Sequence, residues 1–225
     1  EEKLGICVDQ QWTEGFLEAG VGLRFEHIAQ TARTGDASHA VFSTNVRLNW
    51  QIGERATFFA RGATGFRAPT LSELYYRGIT PRGELVGNAE LDPENSTSSE
   101  LGLEVIRDRF SFSLSGYRTV IDDYIERFQT TATTRSYRNI GEGVIRGYEI
   151  RASYEPTARW THGLSYGHQS GRDSASGAWL ADLSPNTWRY EATWRSSRAV
   201  VRLDISRRER RSEFGLGEEP LDAVT

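Results

Sequence analysis

The chain has 225 residues and a net charge of −4, so it lacks the basic excess that a nucleic-acid partner calls for. Only 37% of its residues are hydrophobic, mean hydropathy is −0.55, and no run approaches the roughly 18 apolar residues of a membrane helix, which excludes a helical membrane protein. Cys7 is the only cysteine and no Cys/His cluster has zinc-like spacing, so neither a disulfide, a metal nor another cofactor is assigned. The absence of methionine points to a processed chain or a fragment, and a fragment is the expectation taken forward.

Ten segments alternate apolar and polar side chains, the signature of half-buried β-strands. The first, at about 3–12, puts Leu4, Ile6, Val8 and Trp12 on one face. The second, at about 16–29, sets Leu17, Ala19, Val21, Leu23 and Phe25 against Glu18, Gly20, Gly22 and Arg24. The third and fourth, at about 40–51 and 55–67, carry Val46, Leu48 and Trp50, then Phe58, Ala60 and Gly62. The fifth to seventh fall at about 97–107, 109–128 and 135–155. The eighth, at about 159–169, alternates Trp160, His162, Leu164 and Tyr166 with small residues. The ninth is the plainest: Trp188, Tyr190, Ala192 and Trp194 against Arg189, Glu191, Thr193 and Arg195. The tenth, at about 198–210, sets Ala199, Val201, Leu203 and Ile205 against polar residues apart from Val200. No segment shows a comparable helical stripe.

The connections take turns. Short ones are expected near Thr13–Gly15, Ile52–Glu54, Arg107–Arg109, Pro156–Ala158 and Ser196–Arg198. Long polar ones are expected at about 30–39, 68–96, 129–134, 170–185 and 211–220. In an up-and-down barrel every second connection shares a rim, and outer-membrane barrels have one tight rim and one looped rim. Trp12, Trp50, Tyr154, Trp160 and Trp194 all fall near the short turns, as an interfacial aromatic girdle would. The fold class read from this pattern is all-β, an antiparallel up-and-down transmembrane β-barrel segment of about ten long strands.

Several motifs then carry a family resemblance. Gly65-Phe66-Arg67-Ala68-Pro69-Thr70, followed by Leu71-Ser72-Glu73-Leu74-Tyr75, resembles the FRAP-type motif of TonB-dependent outer-membrane receptors. Gly87-Asn88-Ala89-Glu90-Leu91-Asp92-Pro93-Glu94 resembles the family's downstream signature, and Glu100-Leu101-Gly102-Leu103 its descending strand. Two further matches run from Tyr117 to Ile125 and from Asn139 to Glu149. Pro69 and Pro93, with no amide donor, suit the ends of strands. The resemblance implies that 1–225 is part of a 22-stranded barrel domain, its eleventh to twentieth strands, without the plug, the TonB-contacting segment or the last two strands.

What the resemblance implies for function is a receptor in the Gram-negative outer membrane, among lipid and lipopolysaccharide. It would take up a scarce nutrient, a ferric siderophore or cobalamin-like ligand, with energy from the TonB complex acting through the plug. Haem is disfavoured because no His lies between Arg67 and Leu91. Ligand contacts are expected from Tyr75, Tyr76, Arg77 and Arg82, since aromatic and cationic side chains suit an anionic metal chelate. The run Arg207, Arg208, Arg210 and Arg211 could meet lipopolysaccharide phosphates, or form a solvated face with Glu209 and Glu213. No catalysis is assigned: Ser165 points away from His162 and His168 on their shared strand, and the acidic pairs Asp122-Asp123 and Glu218-Glu219 have no matched partner. A passive porin-like barrel and a secreted β-rich adhesin are the alternatives.

Overall fold

Alternation fixes only which residues of one strand share a face; the pairing register decides whether neighbouring strands agree. In the structure, a computed structural model, they agree across the whole chain. It describes residues 2–32, 35–81, 83–181, 183–210 and 215, with the side chains of 30–32 and 35–37 excepted. Four strands come first: β1 (Glu2–Glu14), β2 (Leu17–Ala32), β3 (Gly35–Ile52) and β4 (Ala56–Arg67). A short excursion follows, α1 (Leu71–Tyr75) with the hairpin β5 (Arg77–Thr80) and β6 (Gly83–Val86). The wall resumes with β7 (Glu94–Arg107), β8 (Phe110–Gln129), β9 (Thr134–Thr157), β10 (Trp160–Asp173), β11 (Thr187–Arg195) and β12 (Val200–Arg208). Ten strands lie in sequence order, β1-β2-β3-β4-β7-β8-β9-β10-β11-β12, each antiparallel to the next, with β1 and β12 at the two ends of the path.

Apolar meets apolar along this ladder. Val8 faces Leu23, Val21 faces Val46, Leu48 faces Ala60, Phe58 faces Leu103, Leu103 faces Leu114 and Leu114 faces Ile150. Further on, Ala152 faces Leu164, Leu164 faces Tyr190 and Tyr190 faces Ile205. These side chains stay open to their surroundings, Leu101 by 57% and Leu164 by 48%, so they are not packed into a protein core. The buried apolar cluster among the described residues is small: Leu74 and Leu91 of the excursion with Ile125 of β8. A greasy face this broad and unpacked is a lipid-facing one.

The opposite face is wet and charged. Arg47 donates to both carboxylate oxygens of Asp9, at 2.6 and 3.2 Å, reaching across β2 where Gly20 and Gly22 leave room. Arg61 pairs with Glu100 at 3.3 Å, and Arg189 with Asp204. Phe59 is an apolar residue on this face; it lies over Gly102, with the Arg61 guanidinium 4.5 Å from its ring centre.

Tight turns fall on one rim, helped at Gly15 and Gly53 by positive φ of 57° and 65°. Trp12, Trp50, Tyr154, Trp160 and Trp194 lie within five residues of those turns, all on the apolar face. The other rim departs from the expected loops. Residues 30–32 and 35–39 continue β2 and β3 as strand, whereas the connection expected at about 129–134 is found, as the short link 130–133. The sequence at the ends of β2 and β3, Gln30-Thr31-Ala32 and Gly35-Asp36-Ala37-Ser38-His39, carries no apolar–polar alternation, which hides them from an alternation test. The long connections are therefore 68–93 and 174–186, and of the stretch 211–220 only Gly215 is described.

At roughly 10 residues per crossing, β8 with 20 and β9 with 24 residues rise well beyond a bilayer. The two-faced wall leads to a direct expectation. Leu164→Arg, on the greasy face of the full-length protein, will lower unfolding stability in lipid by about 2–4 kcal/mol, whereas Ser165→Asn on the wet face will change it by less than about 0.5 kcal/mol. Denaturant titration of the folded protein in phospholipid vesicles checks both.

Candidate functional site

The motif residues gather where the chain leaves β4 and returns at β7. Arg67 and Glu94 are direct cross-strand partners. The Arg67 guanidinium donates to Glu94 through Nε and Nη2, at 2.5 and 2.8 Å, in the two-pronged geometry that arginine makes with a carboxylate. Its remaining Nη1 donates to both oxygens of Glu73, at 3.1 and 2.9 Å. One cation thus holds two carboxylates from opposite ends of the excursion.

Local chemistry positions each partner. Thr70 caps α1: its hydroxyl accepts from the Glu73 amide at 3.2 Å, and Glu73 returns to the Thr70 amide at 2.7 Å, a complete capping box. Pro69 is fully buried just before it. Glu94 is buried, and besides Arg67 it accepts from the Ile125 amide of β8 at 2.7 Å. Asn88 ties the return path: its backbone amide donates to the Glu73 carbonyl at 2.8 Å and its side chain to the Tyr137 carbonyl at 3.1 Å. Asn139 of β9 closes the far side, accepting from the Asp92 amide at 2.9 Å and donating to the Asp92 and Asp123 carbonyls. Leu91 packs with Leu74 and Ile125 beneath this network. Phe66 ends the outward row of β4, Ala68 is half-buried, and Pro93 stands immediately before β7.

The expected ligand residues are spread over this platform rather than converged. Tyr75 packs against the Leu74 cluster and is half-buried. Tyr76 is exposed, its carbonyl accepting from Gly87 at 2.6 Å. Arg77 is exposed, with Nε 3.4 Å from Glu84 across the hairpin. Arg82 lies outside the described residues. Sequence reasoning missed α1, the β5–β6 hairpin and the roles of Glu73, Ile125 and Asn139. The Thr70-x-x-Glu73 spacing was a readable sign of the helix start.

Other singled-out residues find structural partners. His162 Nδ1 is 2.8 Å from the Tyr190 hydroxyl, and its ring stacks on Trp160 with an 8° interplanar angle. His168 Nδ1 is 2.9 Å from Asn186 Oδ1. Neither ring is held by Ser165. Arg207 and Arg208 end β12, and Arg211 and Glu213 lie outside the described residues. Glu209 accepts from Asn186 Nδ2 and Trp188 Nε1, both at 2.9 Å, and those bonds hold its carboxyl below the ordinary range.

A family model described as "TonB dependent receptor-like, beta-barrel" matches residues 5–216. Among solved structures, the copper transporter OprC superposes with a TM-score of 0.76 at 20% identity, over 95% of this chain and 35% of that one. The siderophore receptor PirA from Acinetobacter baumannii gives 0.65 at 18%, over 92% and 33%. The ferric enterobactin receptor PfeA from Pseudomonas aeruginosa gives 0.65 at 21%, over 91% and 32%. The chain thus spans about a third of the length of the structures it resembles.

The clamp yields a measurable expectation. Arg67→Ala leaves Glu94 buried and Glu73 unpaired. With the guanidinium partly open to water, the loss will be about 2–3 kcal/mol, at the low end for a broken buried pair. Limited proteolysis of the full-length protein will cut within 68–93 at least about tenfold faster, since a loss of 1.4 kcal/mol already raises an opening equilibrium tenfold. The wall itself will keep its resistance to unfolding in detergent.

Proposed function

The chain belongs to the TonB-dependent receptors, whose β-barrel domain it matches, and from that premise we propose that it forms part of the barrel wall of a transporter in a Gram-negative outer membrane. The transporter takes up a metal chelate, a ferric siderophore in the first place and a cobalamin-like ligand in the second, with energy from the TonB complex. The observation that supports this most is the pinned excursion 68–93. A passive pore gains nothing from a loop fixed at both ends by one arginine, whereas a receptor gains a rigid platform for ligand contacts. The names of the similar structures, a copper transporter and siderophore receptors, support a metal or metal chelate as the class of cargo.

On that platform Tyr76 and Arg77 are the exposed pair, and with Arg82 they supply the stacking and cationic contacts for an anionic chelate. Tyr75 acts behind them by fixing α1 against Leu74 and Ile125.

The test uses the intact gene in its own bacterium under iron limitation. Deleting it will abolish uptake of one ferric chelate, and inactivating TonB will do the same. Tyr76→Ala with Arg77→Ala will weaken binding of that chelate to the whole receptor about tenfold, the loss of roughly 1.4 kcal/mol of contact energy. Uptake that continues unchanged without TonB would assign a passive pore instead.

A further inference from the structure

We propose that the outward face of β8, β9 and β10 carries a docking site for the phosphates of lipopolysaccharide in the outer leaflet, built by Arg118, Arg146 and Arg172. The inference rests on the reading that this face meets an outer membrane.

The residues come from the ladder. On β8 the outward row runs Phe110, Phe112, Leu114, Gly116 and then Arg118. On β9 it runs Tyr154, Ala152, Ile150, Tyr148 and then Arg146. The switch from grease to guanidinium falls at the same rung, because Arg118 and Arg146 are direct cross-strand partners. Ser170 of β10 faces Arg146 on its other side, and Arg172 stands one outward position further along, opposite Val144. Eight residues separate Phe110 from Arg118, roughly 27 Å of strand and about 20 Å along the membrane normal at the usual tilt, close to the ~25 Å apolar band of such barrels. The arginines therefore stand where lipid headgroups begin.

An aromatic belt lies directly beneath them. Tyr148 packs on Tyr166 and His168 at ring separations of 5.9 and 5.1 Å, and Tyr166 on Trp188 at 4.3 Å. Rings at the headgroup level with cations just above are the arrangement of a membrane interface.

The charges on this face are unbalanced. Like charges directly opposite one another in a sheet are unfavourable, yet neither Arg118 nor Arg146 has an ion pair among the described residues. Nearby carboxylates are otherwise engaged or further out. Asp173 accepts from the Ala175 amide and the Ser176 hydroxyl, and Glu142 from the Ser174 hydroxyl. Asp122 faces Glu142 two outward positions beyond the arginine pair. Between β9 and β10 a cavity of about 310 Å³ is lined by Arg146, Ser170 and Arg172 and also by Asp173 and Ser174, and the Arg172 guanidinium is held 3.8 Å from the ring centre of Trp179. The two guanidiniums and the Ser170 hydroxyl are donors suited to a phosphate monoester, and the one carboxylate in the lining, Asp173, already accepts from the Ala175 amide and the Ser176 hydroxyl. Arg207, the residue of the basic run that shares this face, stands beside Trp188 with Glu209 near it and is not part of the site.

The test uses the full-length receptor, purified in detergent and confirmed folded by its heat-modified mobility on gels. Binding of bisphosphorylated lipid A will weaken at least tenfold in R118Q/R146Q/R172Q. Binding of lipid A stripped of its phosphates will be weak in wild type and unaltered by the variant. Arg146→Lys, which keeps the charge, will retain most of the affinity, and Arg151→Gln on the wet face will leave it unchanged. Equal affinity of wild type and triple variant for the phosphorylated lipid, or displacement of that lipid by millimolar inorganic phosphate, would overturn the site while leaving the membrane assignment intact. Absence of the wild-type receptor from the outer-membrane fraction would instead remove the premise.

Discussion

Backbone pairing in register is what the rest of this molecule depends on. A strand that crosses lipid has no water for its amides and carbonyls, so each must bond to a neighbour. Because side chains alternate, a slip of one residue would turn every greasy residue toward the aqueous face and every charged one toward lipid. Registers that keep Leu103 on Leu114 and Leu114 on Ile150 therefore settle both faces at once. The one shift, in the β9–β10 ladder between Trp160 and His162, falls at the tight rim beside Pro156, where a missing amide donor harms the ladder least. Trp160 itself keeps its place on the outward side, opposite Trp194, and stacks on His162.

On the opposite rim, stability takes another form. There a compact polar knot replaces grease, with Arg67 between two carboxylates that would otherwise repel each other. The bookkeeping of donors is nearly complete: Glu94 also takes the Ile125 amide, and Glu73 also takes the Thr70 amide and hydroxyl. A satisfied charge cluster of this kind fixes a single loop path, because any alternative leaves a buried carboxylate without donors. That explains why the small core of Leu74, Leu91 and Ile125 suffices beneath this stretch of chain.

The wall was legible in the sequence because lipid imposes a period of two, and each of the ten expected strands is found within a few residues of its position. The extensions of β2, β3 and β10 were not legible, since a strand that stands in water on both sides has no reason to alternate. The Arg67 and Glu94 motifs were readable as a resemblance, but their meeting was not: they lie far apart in sequence and become neighbours only through the β4–β7 pairing. The short α1 gave no stripe, being five residues long, though its cap was written in Thr70 and Glu73. The arginine pair on the outward face was invisible for the same reason as the clamp. Arg118 and Arg146 become neighbours only once β8 and β9 are laid side by side.

The same rows also set the height of the pinned excursion 68–93 above the apolar band. Arg118 lies opposite Ser99 of β7, five residues short of Glu94. Five residues along a tilted strand raise the clamp by roughly 12 Å above the rung where grease ends. At that height the knot stands clear of hydrocarbon, consistent with an Arg67 side chain that is 42% open to its surroundings while Glu94 beneath it is 9% open. Lipid phosphates and a cell-surface ligand would then meet different faces and levels of the same strands, the first outward at Arg118 and Arg146, the second on the platform that Arg67 holds down. One alternation of side chains, read against three surroundings in turn, separates the two.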